Sequence, residues 1–282
     1  MVTIHLNRTE HDIFSGYSKL DTPDERKEHK VEGSLICEEF EELIKCYEKI
    51  VDASSLSYAY EMIPKIEAVL TPVQINSLLQ STLKYEEHWL YKQSTGLFIT
   101  KLIENSYNSG HKKFHLNTAL LKRIEHIGYS LKGRKDKLLE IVVEGDIGDH
   151  CFGFVDYLEL KLIGDAGKSL GGAAQYSRFD VEGNVEESCG CDFPLYTGQT
   201  FFCGGMLISG SKSSVFNISG SLGESSGQRS ENCVFKTSDK ESINVLRNEL
   251  PYGKANRIYY LKPDEKEERI WRLKDILHYG MW

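Results

Sequence analysis

Leu139-Glu-Ile-Val-Val-Glu-Gly-Asp-Ile-Gly148 is answered 19 residues later by Leu158-Glu-Leu-Lys-Leu-Ile-Gly-Asp-Ala-Gly167. Ser177-Arg-Phe-Asp-Val-Glu-Gly-Asn-Val-Glu186 follows at the same interval, and Ser214-Val-Phe-Asn-Ile-Ser-Gly-Ser-Leu-Gly223 after a longer gap. The lead glycines Gly145, Gly164 and Gly183 stand 19 apart, and Gly220 comes 37 further on. Other glycines keep fixed offsets: Gly148, Gly167 and Gly223 after the lead, then Gly171, Gly190 and Gly227. Phe152 and Glu186 fill the two slots where glycine is missing. Apolar residues keep register as well. Ile141, Leu160, Phe179 and Phe216 form one column, Val143, Leu162, Val181 and Ile218 a second, and Ile147, Ala166, Val185 and Leu222 a third. Period-two alternation marks a strand with one buried face. A fixed period of this size marks stacked like units. The expected core is therefore a parallel β-solenoid over 138–237, with glycines at its corners where the chain turns tightly.

These Gly-x-x-Gly-x-x-x-Gly units, carried by Gly164, Gly167, Gly171, Gly220, Gly223 and Gly227 with Gly204-Gly205, resemble the GXGXG-motif right-handed β-helix. That module forms the C-terminal domain of the glutamate synthase large subunit and one of the subunits of formylmethanofuran dehydrogenase. The likeness covers residues 141–236. It implies a right-handed β-helix acting as a non-catalytic spacer between active domains, and it transfers no catalytic residue.

The flanks supply the rest of the expected architecture. Residues 1–33 are charged and read as a flexible arm. Residues 34–137 read as a helical bundle. Ser34 caps a first helix through Phe40, Leu43, Tyr47 and Ile50; Pro64 interrupts a second; Thr71-Pro72-Val-Gln74 starts a third with a capping box. A fourth runs from Glu86 to Gly110, and a fifth, capped by Asn117 or Thr118, through Leu121, Ile124 and Leu131 to Gly133, covering the first open coil. Residues 238–282 read as an α/β cap: a helix over Asp239–Leu250, a strand over Asn256–Leu261 and a helix over Glu265–His278. The fold class expected is thus α+β: a helical N-terminal domain, a parallel right-handed β-helix and a small α/β C-terminal cap.

Composition narrows the function classes. A net charge of −8 argues against nucleic acid as partner. No stretch is apolar enough for a membrane span or a signal peptide. Seven cysteines without a secretory signal fit reduced thiols in a cytoplasm. Cys151 and Cys189 share one column two repeats apart, which is too far for one metal or a disulfide, so both read as core residues. No metal, cofactor or catalytic set is expected. His111 and His115 lie in a loop-like stretch, and Gly167-Lys168-Ser169 lacks the spacing of a phosphate loop. The insertion at Asp192–Thr200 departs from the repeat.

The leading expectation is a scaffold or interaction protein that binds a protein partner or itself. A carbohydrate-active or carbohydrate-binding protein is the second, using Asp146, Asp165, Asp180 and Tyr176, with Tyr157 nearby. Stacked carboxylates at Asp146 and Asp165 could hold calcium or act as paired acids. An accessory subunit of an amidotransferase or redox enzyme is the third, implied by the resemblance alone.

Overall fold

The computed structural model describes residues 40–190, 211–249, 255–261 and 267–272. Its strands form one sheet in chain order: β1 (Lys113–Asn117), β2 (Leu139–Glu144), β3 (Leu158–Ile163), β4 (Arg178–Glu182), β5 (Val215–Ile218), β6 (Val234–Thr237), β7 (Arg257–Leu261) and β8 (Glu267–Arg272). β1 to β7 run parallel, and β8 returns antiparallel to β7. Five α-helices accompany them among the described residues: α1 (Glu41–Val51), α2 (Leu56–Met62), α3 (Pro72–Ser81), α4 (Tyr91–Ser109) and α5 (Lys240–Glu249).

This corrects the expected class. A β-helix stacks strands on more than one side of every coil. Here, among the described residues, one side of each repeat forms strand. The return is made of turns with isolated bridges, one file through Ile147, Ala166, Val185 and Leu222 and another through Asp156, Gln175, Lys212 and Glu231. The sheet is open. It begins with β1, inside the stretch read as a helical bundle, and continues through β7 and β8 in the stretch read as a cap. The architecture is an α/β parallel sheet of seven strands, not a right-handed β-helix.

The sequence period appears in the sheet as strand register. Ile141 pairs with Leu160, Leu160 with Phe179, Phe179 with Phe216, Phe216 with Phe235 and Phe235 with Ile258. The gap of 37 residues from Phe179 to Phe216 is therefore one step of the sheet, not two. Lys212 sits opposite Gln175 and Glu231 in a polar column. The arm at 1–33, Ser34, the Asp192–Thr200 insertion and Gly204-Gly205 lie outside the described residues.

Burial alternates along each strand. β3 reads buried at Leu158, Leu160 and Leu162 and exposed at Glu159, Lys161 and Ile163. Each fully buried side chain of this size contributes roughly 2–3 kcal/mol through removal of apolar area from water. Phe179, Phe216 and Phe235 stack inside with ring centroids 4.8 and 5.0 Å apart. The glycines opposite make room for them. At Gly171, whose φ is +63°, a Cβ would stand 2.8 Å from Phe179 Cζ and 2.9 Å from Phe216 Cε1. At Gly190 it would stand 2.9 Å from Phe216 Cζ. Phe152 takes the equivalent position one repeat earlier, where the strand offers Leu160 in place of a ring. It is fully buried. Large and small residues thus exchange sides across the core.

The helices begin where local chemistry sets them. Thr71 accepts from Gln74 N at 3.3 Å, and Gln74 Oε1 accepts from Thr71 N at 2.9 Å, with Pro72 in the first turn of α3. α2 stops at Met62, where Pro64 turns the chain into a 3-10 segment. Ser242 N donates to Asp239 Oδ2 at 2.8 Å at the start of α5. Two expected helices are corrected. Residues 118–131 are turns of the first repeat: Ile124 bridges Ile147, and His126, Gly128 and Ser130 have left-handed backbones that a helix cannot contain. Within Glu265–His278, residues Glu267–Arg272 are β8, which pairs with β7.

The open edge of the sheet is covered by α3 instead. Asn117 N donates to Asn76 Oδ1 at 2.8 Å, and Gln80 Nε2 donates to the Asn117 carbonyl. Edge groups paired in this way cannot recruit another strand. α4 seats against the first repeat at Gly96, where a Cβ would lie 1.8 Å from the Glu125 carbonyl oxygen. Thr100 Oγ1 accepts from Gly128 N at 2.7 Å and donates to Gly96 O at 2.6 Å, tying the two segments. Gly96→Ala should gain helix propensity yet lose stability by about 2 kcal/mol net, because the backbone contact must open. Urea unfolding of the variant checks this; a stabilised Gly96→Ala protein would show that α4 does not seat at Gly96. No described helix is long and apolar enough to cross a membrane.

Candidate functional site

Asp146 and Asp165 follow β2 and β3 at the same turn. Asp146 Oδ1 accepts from Asp165 N at 2.9 Å, and Asp165 Oδ1 accepts from Asn184 N at 2.8 Å. Asn184 Oδ1 accepts in turn from Ser221 N at 3.0 Å. Each side chain thus binds the backbone of the next repeat. Arg123 heads the same file, one residue before the bridging Ile124. Its guanidinium lies 3.6 Å from Asp146 Oδ2, 3.8 Å from Asp165 Oδ2 and 2.7 Å from Glu186 Oε1. The two stacked carboxylates are thereby engaged by amides and one arginine. Since these groups are 38–50% exposed, each ion pair contributes at most about 1 kcal/mol.

Asp180 and Tyr176 are elsewhere. Asp180 sits on the outer face of β4, where Arg178 binds it from Nε at 2.7 Å and from Nη2 at 3.1 Å and Asn217 Nδ2 also donates to it. Tyr176 lies at the turn before β4, at the opposite strand end from the Asp146–Asp165 turns. A strand of six residues separates those ends by about 20 Å. The structure therefore brings Asp146 together with Asp165 but does not join either to Asp180 or Tyr176.

Tyr176 has a different partner. Its ring stacks on Tyr157, one repeat earlier, with centroids 5.1 Å apart and planes 13° apart. Tyr176 is 54% exposed and Tyr157 half-buried. Both have φ of +51°. That backbone costs about 1–2 kcal/mol for each side-chain-bearing residue. A stacked aromatic pair returns about 0.5–1.5 kcal/mol. The equivalent Ser213 and Asn232 have φ of +50° and +52°, so the left-handed backbone belongs to the corner itself and the aromatic stack is what distinguishes these two repeats.

A third group lies in the turns of the first two repeats, where Thr100 Oγ1 of α4 donates to the His126 carbonyl at 3.3 Å. His126 and His150, one repeat apart, have ring centroids 5.3 Å apart. Burial first, then His150, lowers the His126 pKa to about 4, against an opposing pull from Asp149. Burial lowers His150 too. Glu125 is raised, by burial and then by Asp149, while Lys92 and a 2.6 Å bond from Gln93 Nε2 oppose the rise. Cys151 below them is fully buried, and burial pushes its thiol far up. Cys189 is buried as well, and neither forms a disulfide. Among the described residues, no three His, Cys, Asp or Glu side chains are placed to hold a metal ion.

The repeat glycines are structural close contacts. A Cβ at Gly145, Gly148, Gly164, Gly167, Gly183, Gly220 or Gly223 would press on the adjoining repeat. Gly227 has φ of +79°. Arg123 was hidden in the sequence because its repeat is longer: Phe114 pairs with Ile141, 27 positions on, rather than 19. The Tyr157–Tyr176 stack had a visible signal, since the two residues are 19 apart.

Comparison with protein-family models, curated proteins and solved structures finds no match to this chain.

Proposed function

We propose that this protein is a non-catalytic scaffold that binds a protein partner, or a second copy of itself, through the surface formed by the turn before α4 and the turns of the first repeat. The observation that carries this reading is a pair of exposed apolar side chains on two segments tied together. Trp89 is 68% exposed and Leu120 is 78% exposed. Lys122 joins their segments, donating from its backbone N to Glu86 Oε1 at 2.6 Å and from Nζ to Glu86 O at 3.0 Å and Glu87 Oε1 at 2.6 Å. An exposed tryptophan and an exposed leucine on two linked segments, with charged Glu86, Glu87 and Lys122 among them, is the composition of an interface hot spot. The polar columns support the same reading, because their hydrogen bonds hold repeats to one another. Free thiols at Cys46, Cys151, Cys189 and Cys233 support a reducing compartment such as the cytoplasm.

The test is a paired variant, Trp89→Ser with Leu120→Ser, compared with wild type by analytical ultracentrifugation and by cross-linking in extracts of the native source. Both side chains are exposed, so the melting temperature should stay within about 3 °C. Wild type should self-associate or capture a reproducible partner cross-linked near Lys92 or Lys122, and the variant should lose it. A wild type that is monomeric and captures nothing would overturn the proposal. So would a variant that keeps every association.

A further inference from the structure

We infer that the Tyr157–Tyr176 corner is a binding site for a neutral saccharide, independent of the surface around Trp89. The file at this corner follows from the bridges Lys132–Asp156–Gln175–Lys212–Glu231; the next residue in each case is Gly133, Tyr157, Tyr176, Ser213 and Asn232. Two stacked rings therefore stand between a glycine and a serine. On the Tyr176 side, the file continues with the small Ser213, which leaves one ring face without an aromatic neighbour in its own column. Beyond it, Asn232 Nδ2 donates to Ser213 Oγ at 3.2 Å. That bond leaves the Ser213 hydroxyl as a donor and the Asn232 carbonyl oxygen as an acceptor. Asn232 is exposed and Ser213 half-buried.

The chemistry of the corner selects the ligand class. A flat, electron-rich ring face accepts the C–H face of a pyranose, and a hydroxyl with an amide meets its ring hydroxyls. Charge at the corner is already balanced: Lys132 lies 2.8 Å from Asp156, Lys212 lies 3.7 Å from Glu231, and Arg178 is held by Asp180. A neutral ligand fits this balance better than an anionic one. The tyrosines are rigid, since a stacked neighbour and a left-handed backbone fix the Tyr176 ring before any ligand arrives.

The experiment is saturation-transfer NMR and titration calorimetry of the full chain against cellohexaose, xylohexaose, chitohexaose and mannohexaose, with adenosine as a planar non-sugar control. At least one hexasaccharide should bind with roughly millimolar affinity. Tyr176→Ala should weaken that binding about tenfold or more, Tyr176→Phe should change it by less than about twofold, and Ser213→Ala should fall between them. Tyr176→Phe and Ser213→Ala should melt like wild type, and Tyr176→Ala within about 5 °C of it, since that variant loses no more than the stack on Tyr157. Binding that is equal in Tyr176→Ala and wild type would overturn the inference. Failure of all four sugars to bind, or binding of adenosine alone, would do the same.

Discussion

Phe152→Gly should destabilise this protein by about 4 kcal/mol, and adding Leu160→Phe should restore more than half of that loss. The single variant removes a fully buried ring and leaves a cavity. Leu160→Phe alone should also destabilise, by about 1–3 kcal/mol, because a larger side chain would be forced into a filled core. Together they copy the next repeat, in which Gly171 faces Phe179. Glycine at 152 also relieves a φ of +53°. Equilibrium urea unfolding of the wild type, the two single variants and the double variant measures the coupling. Rescue of about 2 kcal/mol or more is expected. Simple additivity would show that the two sides of the core do not exchange volume, and that the glycine column has another cause.

Acidification should weaken the fold between pH 6.5 and about 4 through His126. The ring is 7% exposed, and its Nδ1 is buried with no hydrogen-bond partner. Burial holds the folded imidazole neutral, while the unfolded chain titrates near 6.5. Across this window the unfolded state binds more protons, so stability rises with pH. His126 withholds nothing above pH 6.5, and its penalty reaches about 3 kcal/mol once pH falls below about 4. His150 has the same sign, because burial lowers it too. Glu125 opposes both at the acid end, since a carboxyl raised by burial and Asp149 takes up its proton more readily when folded. The check is a series of urea midpoints from pH 7.5 to pH 4 for wild type and His126→Asn. Asparagine suits the left-handed backbone at φ +61° and cannot titrate. Its curve should be flatter by roughly 3 kcal/mol over that range. Parallel curves would show that His126 does not set the acid response.

What the sequence made legible was spacing. The columns through Ile141 and Val143 became inner faces of paired strands, and the burial of Cys151 and Cys189 followed from the same alignment. The Thr71 box set the start of α3 where its residues imply. Architecture was harder to read, because a repeat fixes which residues are equivalent without fixing how much of each repeat is strand. Only about six of 19 residues alternate, and the remaining bridges are single residues with no pattern of their own. Leu121, Ile124 and Leu131 satisfy helical spacing, and nothing local reveals that His126 and Ser130 adopt left-handed backbones. At the candidate sites the difficulty was similar. Asp146 and Asp165 were correctly paired by register, but Tyr176 and Asp180 are near in sequence and face different surroundings. Arg123 belongs to the acid column only through a repeat whose length differs from the others.

The steps of the sheet differ in length while its pairing does not: 27 residues from Phe114 to Ile141, 19 from Ile141 to Leu160, 37 from Phe179 to Phe216 and 23 from Phe235 to Ile258. The sheet keeps count by side-chain size at its inner positions and is indifferent to how much chain passes between them. More than doubling one return, from 14 residues before β4 to 32 after it, costs only about 0.7 kcal/mol in closure entropy. Such a chain can acquire new peptide at its corners with little loss of foldability. Novelty in this protein is therefore free to accumulate outside the strands, whose own lengths and spacing stay unaltered.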